Sequence, residues 1–244
     1  MAGQPTLVFL GMLGAPGRYD PAIFEHMPGG DDELLWMQLL LKKHGLLDRV
    51  AYRGVKVSHG ETPPEPEACD GVIVGGSFHS VNERLSWQMA TVDWLRRFRA
   101  TGRPLLGICG GHQLVCTAFG ATVQPLETGV MAGTFPVRPT DRGSAHPLFA
   151  GLGPAPGFHF GNGEHVARAP EGTTVLAART EDPARALDHG GNWMTVQFHP
   201  EADTDTFSGY WAKHKPENIA NYRPVPEAQR LIANFVLNTG VLPL

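Results

Sequence analysis

The stretch PLLGICGGHQLVCTAFG (residues 104–120) decides the fold. Its apolar start is typical of a central strand buried on both faces, and HQLVCTAFG (112–120) is typical of a helix that ends at a glycine. Cys109 lies between them, on a sharp strand-to-helix turn. Gly107 and Gly111 stand two positions to either side, which lets strand and helix approach closely. We therefore predict a nucleophile elbow with Cys109 at its tip.

The position of Cys109 favours nucleophilic chemistry. The helix that starts after it points free N–H groups and the positive end of its dipole at the sulfur, which favours the thiolate. The N–H of Gly110 is placed to stabilise an oxyanion. The alternative is a small core residue, which is how we interpret Cys69 and Cys116. The glycines around Cys109 favour the nucleophile.

Strands alternate with helices along the chain, which predicts a mainly parallel sheet covered by helices on both faces. Further strands are predicted at residues 6–13, 50–57, 71–74 and 193–198, and further helices at 31–45, 83–101 and 226–238. Residues 121–190 are predicted to form β-hairpins and loops, and 202–226 an irregular insertion before the C-terminal helix. With no repeat and no linker, we expect a single α/β domain over residues 1–244.

Composition argues against several classes of protein. The 244 residues carry a formal charge of −4, so nucleic acid is not the expected ligand. No run approaches the ~20 apolar residues that span a bilayer, and the N terminus resembles no signal peptide, so we expect a soluble cytoplasmic protein that does not contact membranes. The three cysteines and 11 histidines show no zinc spacing, and P-loop and dinucleotide signatures are absent. The sequence predicts neither a metal nor a cofactor.

The tripeptide His199-Pro200-Glu201 follows the last predicted strand. A cysteine nucleophile needs a base, and the base needs an acceptor that orients it. The fixed φ of Pro200 favours an extended geometry, which can hold His199 and Glu201 in a constant relation. Alone, the tripeptide would be interpreted as a turn with a solvated glutamate. Its place at a strand end, in a chain with a cysteine elbow, favours a catalytic pair.

Three segments together resemble the class I glutamine amidotransferase family. PLLGICGGHQLVCTAFGATV (104–123) is similar to its elbow, VQFHPE (196–201) to its His/Glu segment, and DGVIVGGSFHSV (70–81) to its oxyanion loop. The resemblance implies a flavodoxin-like α/β fold and a Cys-His-Glu triad that hydrolyses glutamine.

The resemblance also implies a role for each matching residue. Cys109 would attack the γ-carboxamide, His199 would act as base and then acid, and Glu201 would orient His199. The implied oxyanion hole consists of Gly76, Ser77 and Gly110, and the implied substrate-binding residues are Gln113, Asn162, Gly163 and Glu164.

Two departures from the family pattern concern the expected pocket. Phe78, followed by His79, stands where many members have proline, and Asn162 stands where many have histidine. Both put strict glutamine specificity in question. A surface position in the loop is the simpler interpretation of His79.

Three functions remain open at this point. The first is glutamine hydrolysis that passes ammonia to a separate synthetase, which could dock on the aromatic residues of 207–222 (Phe207, Tyr210, Trp211 and Tyr222). Packing of these aromatic residues over their own loop is an equal alternative. The second is a stand-alone γ-glutamyl hydrolase or transferase, and the third is a non-catalytic regulatory subunit.

Overall fold

A seven-stranded sheet carries Cys109 at the end of its central strand. The computed structural model describes residues 3–242. In chain order the strands are β1 (Thr6–Gly11), β2 (Ala51–Lys56), β3 (Gly71–Val74), β4 (Leu105–Ile108), β5 (Val123–Pro125), β6 (Met131–Pro136), β7 (Gly157–Asn162), β8 (Glu164–Val166), β9 (Thr174–Arg179), β10 (Asp182–Asp188) and β11 (Trp193–Val196). The main sheet has the order β2-β1-β3-β4-β11-β10-β9. Its first five strands run parallel, whereas β10 is antiparallel to both β11 and β9.

Helices cover both faces of this sheet. They are α1 (Glu33–Lys43), α2 (Ser86–Arg99), α3 (Gly110–Ala118), the short α4 (Asp141–Ser144), α5 (Thr204–His214) and α6 (Arg230–Asn238). Side chains of a strand alternate between its faces: Leu7 and Phe9 of β1 share a core with α1 and α6, while Val8 and Leu10 share one with α2 and α3. The predicted α/β fold, with a mainly parallel sheet covered on both faces, is confirmed.

The segment 121–190 forms antiparallel strand pairs, but the predicted hairpins are wrong for two of them, because β5 pairs with the distant β8 and α4 lies between β6 and β7. Strands β5 and β8 pair antiparallel, as do β6 and β7, each pair forming a small separate sheet. The hairpin of β9 and β10 instead extends the main sheet beyond β11, which the sequence pattern did not indicate.

Residues 202–226 are more regular than predicted. They contain α5 and a 3-10 helix over Pro216–Asn221. A reciprocal cap starts α5, because the side chain of Asp203 accepts from the Thr206 N–H and the Thr206 hydroxyl oxygen accepts from the Asp203 N–H. The helix packs closely on Ile23, since a Cβ at Gly209 would clash with the Ile23 carbonyl oxygen. The sequence predicted an irregular segment because the contact between α5 and Ile23 joins residues far apart in the chain and leaves no local pattern.

Close packing requires the two glycines that lie two positions to either side of Cys109, Gly107 and Gly111. A Cβ at Gly107 would lie 2.9 Å from the Gly111 carbonyl oxygen, and one at Gly111 would collide with the carbonyl oxygen of Val74. Backbone atoms cannot move aside as a flexible side chain can. The glycines therefore let α3 start directly against β3 and β4.

We expect Gly111→Ala to lower the free energy of unfolding by about 1–3 kcal/mol, the usual range for a group forced into a packed interior. Thermal or urea unfolding measures this. Gly163→Ala is the matched control, because a Cβ there meets only Val130 at 3.5 Å, an ordinary contact. Equal stability of both variants would contradict the packing argument.

Candidate active site

Cys109 has the strained backbone of a nucleophile elbow. Its φ of 49° and ψ of −104° place it at the N-cap of α3, in a region that residues other than glycine rarely adopt. Its N–H donates to the Val196 carbonyl of β11 at 2.8 Å. The side chain is 7% exposed, whereas Cys69 and Cys116 are fully buried. Of these three cysteines, Cys109 alone is open to a ligand.

His199 and Glu201 meet Cys109 as the sequence predicts. Nδ1 of His199 lies 2.7 Å from Oε1 of Glu201, and His199 lies beside Cys109, since a Cβ at Gly76 would meet both His199 Cε1 at 2.9 Å and Cys109 Cβ at 3.8 Å. The backbone N–H of His199 donates to the carbonyl of His159 at 2.9 Å, which fixes the segment after β11. The three side chains form a continuous Cys-His-Glu chain.

The electrostatics of His199 fit this chain. Burial alone would lower the pKa of His199, but electrostatic attraction to Cys109 and Glu201 and the hydrogen bond to Glu201 raise that pKa well above the ordinary value. The protonated imidazole of His199 is therefore favoured between Cys109 and the Glu201 carboxylate. In general, a protonated histidine beside a cysteine is an arrangement that activates the thiol as a nucleophile.

The Gly76-Ser77 turn lies beside the elbow. A Cβ at Gly110 would lie 2.8 Å from the Ser77 backbone nitrogen, and one at Gly76 would lie 2.9 Å from His199 Cε1. The N–H groups that flank the turn are occupied, since Gly75 donates to Leu10 at 3.0 Å and Phe78 to Leu13 at 2.8 Å. Within residues 3–242, those of Gly76 and Ser77 donate no backbone hydrogen bond. They are available to an oxyanion.

The side chains expected to bind substrate are mostly engaged within the protein. The Gln113 amide nitrogen donates to the Glu164 carbonyl at 2.9 Å and to Gln197 Oε1 at 3.0 Å. The Asn162 amide donates to the same Glu164 carbonyl at 3.0 Å, and both residues are 5% exposed. Gln113 and Asn162 thus hold the 162–164 segment in place, and Gly163 reaches the cavity beside Cys109.

Two residues near the triad were missed by sequence reasoning. Gln197 directs its amide nitrogen at Cys109 Sγ, 3.6 Å away, and is fully buried. His159 is also fully buried and shares a 2.9 Å hydrogen bond with Thr134 Oγ1. A polar residue in the apolar run of the last strand was the only local signal for Gln197, and His159 had none.

Phe78 and His79, the two residues at the first departure from the family pattern, lie in different environments. His79 is buried rather than on the surface, because its ring bonds Glu83 at 2.8 Å and accepts the Ala15 N–H at 3.2 Å. Phe78 lines the cavity and packs on Tyr210 of α5, with ring centroids 5.4 Å apart. His79 stabilises the loop, and Phe78 shapes the site.

A cavity of about 660 Å³ opens at the triad. Cys109, His199 and the Gly76-Ser77 turn line one part, and residues of α1 and α5 line the rest. Its size is in the range of small-molecule sites. The chain therefore places Cys109, His199 and the Gly76-Ser77 turn together on a ligand-sized cavity.

Glu33, at the start of α1, lies in the wall of this cavity. Its Oε1 accepts the N–H of Leu13 at 2.8 Å. Burial raises the pKa of Glu33 to about 8, against partial compensation by backbone N–H groups and Lys56. At neutral pH this carboxyl is mainly protonated.

This shift has a testable consequence for stability. The unfolded chain releases the Glu33 proton near the ordinary pKa of 4.5, whereas the folded chain holds it up to about 8. Between these two pKa values the unfolded state binds fewer protons than the folded state. The contribution of Glu33 to the free energy of unfolding therefore falls as the pH rises through this range. In urea unfolding, we expect wild type to lose stability relative to Glu33→Gln between about pH 5 and pH 8.5. The exposed Glu171→Gln serves as control, and a stability difference independent of pH would refute the shift.

The protein-family comparison agrees with this geometry. The model named "Glutamine amidotransferase class-I" matches residues 42–215, well over half of the chain. The chain belongs to the class I glutamine amidotransferase family. The family assignment inferred from the three motifs is therefore confirmed.

Other members are similar over different lengths. The chain is 28% identical over 141 residues to a gamma-glutamyl-L-1-hydroxyisopropylamide hydrolase from Pseudomonas sp., covering 55% of this chain and 48% of that protein. It is 26% identical over 172 residues to a glutamine-hydrolyzing GMP synthase subunit of Halobacterium salinarum, covering 67% of this chain and 87% of that protein. The chain thus spans about half the length of the first relative.

A glutamine amidotransferase structure from Thermotoga maritima superposes with a TM-score of 0.73 at 14% identity, covering 96% of this chain and 97% of that one. At this identity the match supports the fold alone.

Membrane-spanning helices and metal-binding clusters are both missing from the described part of the chain. Among residues 3–242, no helix combines the length and apolar character needed to cross a membrane. In the same residues, no group of three or more His, Cys, Asp or Glu side chains is arranged to hold a metal ion.

Proposed function

We propose that this amidotransferase-family chain hydrolyses γ-glutamyl amides through a γ-glutamyl thioester on Cys109. The observation that carries the proposal is the Cys109-His199-Glu201 chain at the edge of a ligand-sized cavity. The raised pKa of His199 supports it, because a protonated imidazole beside Cys109 can give its proton to the leaving nitrogen and then, once neutral, take one from water.

In the first half-reaction the Cys109 thiolate attacks the γ-carbonyl carbon. The carbonyl oxygen becomes an oxyanion, which the N–H groups of Gly76, Ser77 and Gly110 would stabilise. The C–N bond then breaks as the nitrogen takes the proton of His199, releasing ammonia or an amine. A C–S bond to the glutamyl group remains.

In the second half-reaction His199 takes a proton from water, and the resulting hydroxide attacks the thioester carbon. The C–S bond breaks, glutamate leaves and the thiolate is restored. Glu201 holds the imidazole by its Nδ1 throughout, so that Nε2 stays directed at Cys109 and at the leaving nitrogen.

The substrate's α-amino and α-carboxylate groups would bind at the 162–164 segment. Gly163 lines the cavity there, and Gln113 and Asn162 fix its backbone. The Glu164 carboxylate, which the sequence suggested as partner of the α-ammonium group, is not among the residues that line the cavity; its Oε1 lies 3.5 Å from the Asn82 amide nitrogen.

A second candidate is glutamine hydrolysis that supplies ammonia to a partner synthetase. The similarity to the glutamine-hydrolyzing GMP synthase subunit of Halobacterium salinarum, over 87% of that protein, favours it. In that case glutamine would be the substrate, and turnover would depend on the partner.

Glutamate release from L-glutamine and from γ-glutamyl methylamide tests the proposal, with wild type run beside Cys109→Ala. Cys109-dependent release from the amides supports it. Release that persists in Cys109→Ala would refute the mechanism. Release from neither amide, with Cys109 still labelled by an electrophilic glutamine analogue, would favour the partner-dependent function. Absence of both release and labelling would favour the non-catalytic regulatory function.

A further inference from the structure

The cavity beyond the triad is far larger than ammonia requires, and its wall there is aromatic. Rings from α5 and from the loop after β3 begin next to the catalytic histidine. Phe207 lies edge-on to His199 at 5.2 Å between centroids, and Tyr210 packs on Phe78 at 5.4 Å. Since His199 protonates the leaving nitrogen in the proposed reaction, a substituent on that nitrogen would emerge among these rings.

The opposite wall is apolar as well. Trp36, Met37 and Leu40 of α1 line it, and Trp36 packs on Phe24 with centroids 4.9 Å apart. The indole N–H of Trp36 donates to the Pro28 carbonyl at 3.1 Å. The polar edge of Trp36 is therefore already used, and a ligand would meet mainly its hydrocarbon surface.

Two of the three carboxyl groups that line this cavity, Glu201 and Glu33, are paired or neutral. Glu201 is paired with His199, and Asp203 accepts the Thr206 N–H at the start of α5. Glu33 accepts the Leu13 N–H and, with its pKa raised to about 8 by burial, is mainly neutral. Asp203 keeps its charge, but Lys43 and Lys215 line the same cavity, so the terminal ammonium of a diamine would meet positive charge there as well.

We propose that the amine released by this enzyme carries a bulky apolar group, preferably an aromatic ring, which binds between α1 and α5. This inference rests on the proposed γ-glutamyl amide hydrolysis and names its substrate class. The glutamyl part would lie at the 162–164 segment, and the amine substituent would fill the aromatic part of the cavity. The bonds broken and formed are those of the two half-reactions above, with R–NH2 in place of ammonia.

A series of γ-glutamyl amides of similar reactivity tests the proposal: L-glutamine, the methylamide, the 2-phenylethylamide and the 4-aminobutylamide. With wild type, we expect kcat/KM for the phenylethylamide to exceed that for the methylamide by about 10- to 100-fold, because binding in the cavity removes the apolar surface of the phenyl group from water. The aminobutylamide, with its terminal ammonium, should be a poorer substrate than the phenylethylamide. Equal or better hydrolysis of the methylamide or the aminobutylamide would overturn the proposal while leaving γ-glutamyl hydrolysis intact. Hydrolysis of none of the four would instead mean that the proposed function itself fails.

The ratio of kcat/KM for phenylethylamide to methylamide also locates the binding site. Trp36→Leu should lower this ratio about tenfold, because the flat wall of α1 is lost. Trp87→Leu makes the same change on α2, away from the lining residues, and should leave the ratio as in wild type. An unchanged ratio in Trp36→Leu would overturn the placement between α1 and α5. If that variant does not fold, the wild-type series alone decides the proposal.

Discussion

Cys109→Ser is expected to lower glutamate release from γ-glutamyl amides at least ~10²-fold while the protein stays folded. A hydroxyl is far less ionised than a thiol near neutral pH, and the His199 imidazolium that supports the thiolate cannot compensate for this. Serine is smaller than cysteine, and the site opens into the cavity, so the fold should tolerate it. Steady-state rates and a thermal melt, measured on the same preparation, separate the two effects.

The other cysteines provide the control for this prediction. Cys69 is buried and its thiol donates to the Glu65 carbonyl at 3.5 Å, a contact that serine can keep. Cys69→Ser should therefore retain turnover. Retained turnover in Cys109→Ser would show that Cys109 is not the nucleophile.

Thiol labelling gives an independent readout. Burial raises the pKa of Cys69 to about 11 and that of Cys116 to about 12, so both thiols stay protonated and shielded at neutral pH. An alkylating reagent should therefore label Cys109 first, as peptide mass spectrometry would show. Equal labelling rates at all three cysteines would contradict this difference.

His199→Gln is expected to lower turnover by about 10²- to 10⁴-fold, the usual contribution of a positioned acid–base group. The same change should slow alkylation of Cys109 at neutral pH, because the imidazolium that stabilises the thiolate is gone. A merely structural histidine would change the melting temperature without changing the pH dependence of alkylation. The decisive readout is thus the alkylation rate of Cys109 as a function of pH.

His59→Gln is the matched control, because His59 is exposed and does not line the cavity. It should keep both turnover and the alkylation profile of wild type. A His199→Gln variant that behaved like His59→Gln would show that His199 is not the base.

The sequence predicted the parallel core and the strand-to-helix turn at Cys109 well because both depend on local patterns. The fully buried runs of β3, β4 and β11 are short apolar stretches that end in glycine or polar residues. The elbow is a strand, a cysteine between glycines and a helix in direct succession. Each of these signals lies within a few residues of the element it predicts.

The features that the sequence did not show depend on contacts between distant segments. Helix α5 begins with a local cap, but its position depends on Gly209 meeting Ile23 near the other end of the chain. Gln197 reaches Cys109 because β11 pairs with β4. The aromatic cavity exists because α1 and α5 face each other across the site, and neither helix shows this in its own sequence.

The γ-glutamyl thioester is the central claim, and it can be measured directly. Wild type mixed with a γ-glutamyl amide and quenched in acid should carry one γ-glutamyl group on the peptide containing Cys109, by mass spectrometry. Added hydroxylamine should divert this intermediate to γ-glutamyl hydroxamate, and Cys109→Ala should give neither the adduct nor the hydroxamate. Glutamate release by wild type with no adduct on Cys109 and no hydroxamate would contradict the account.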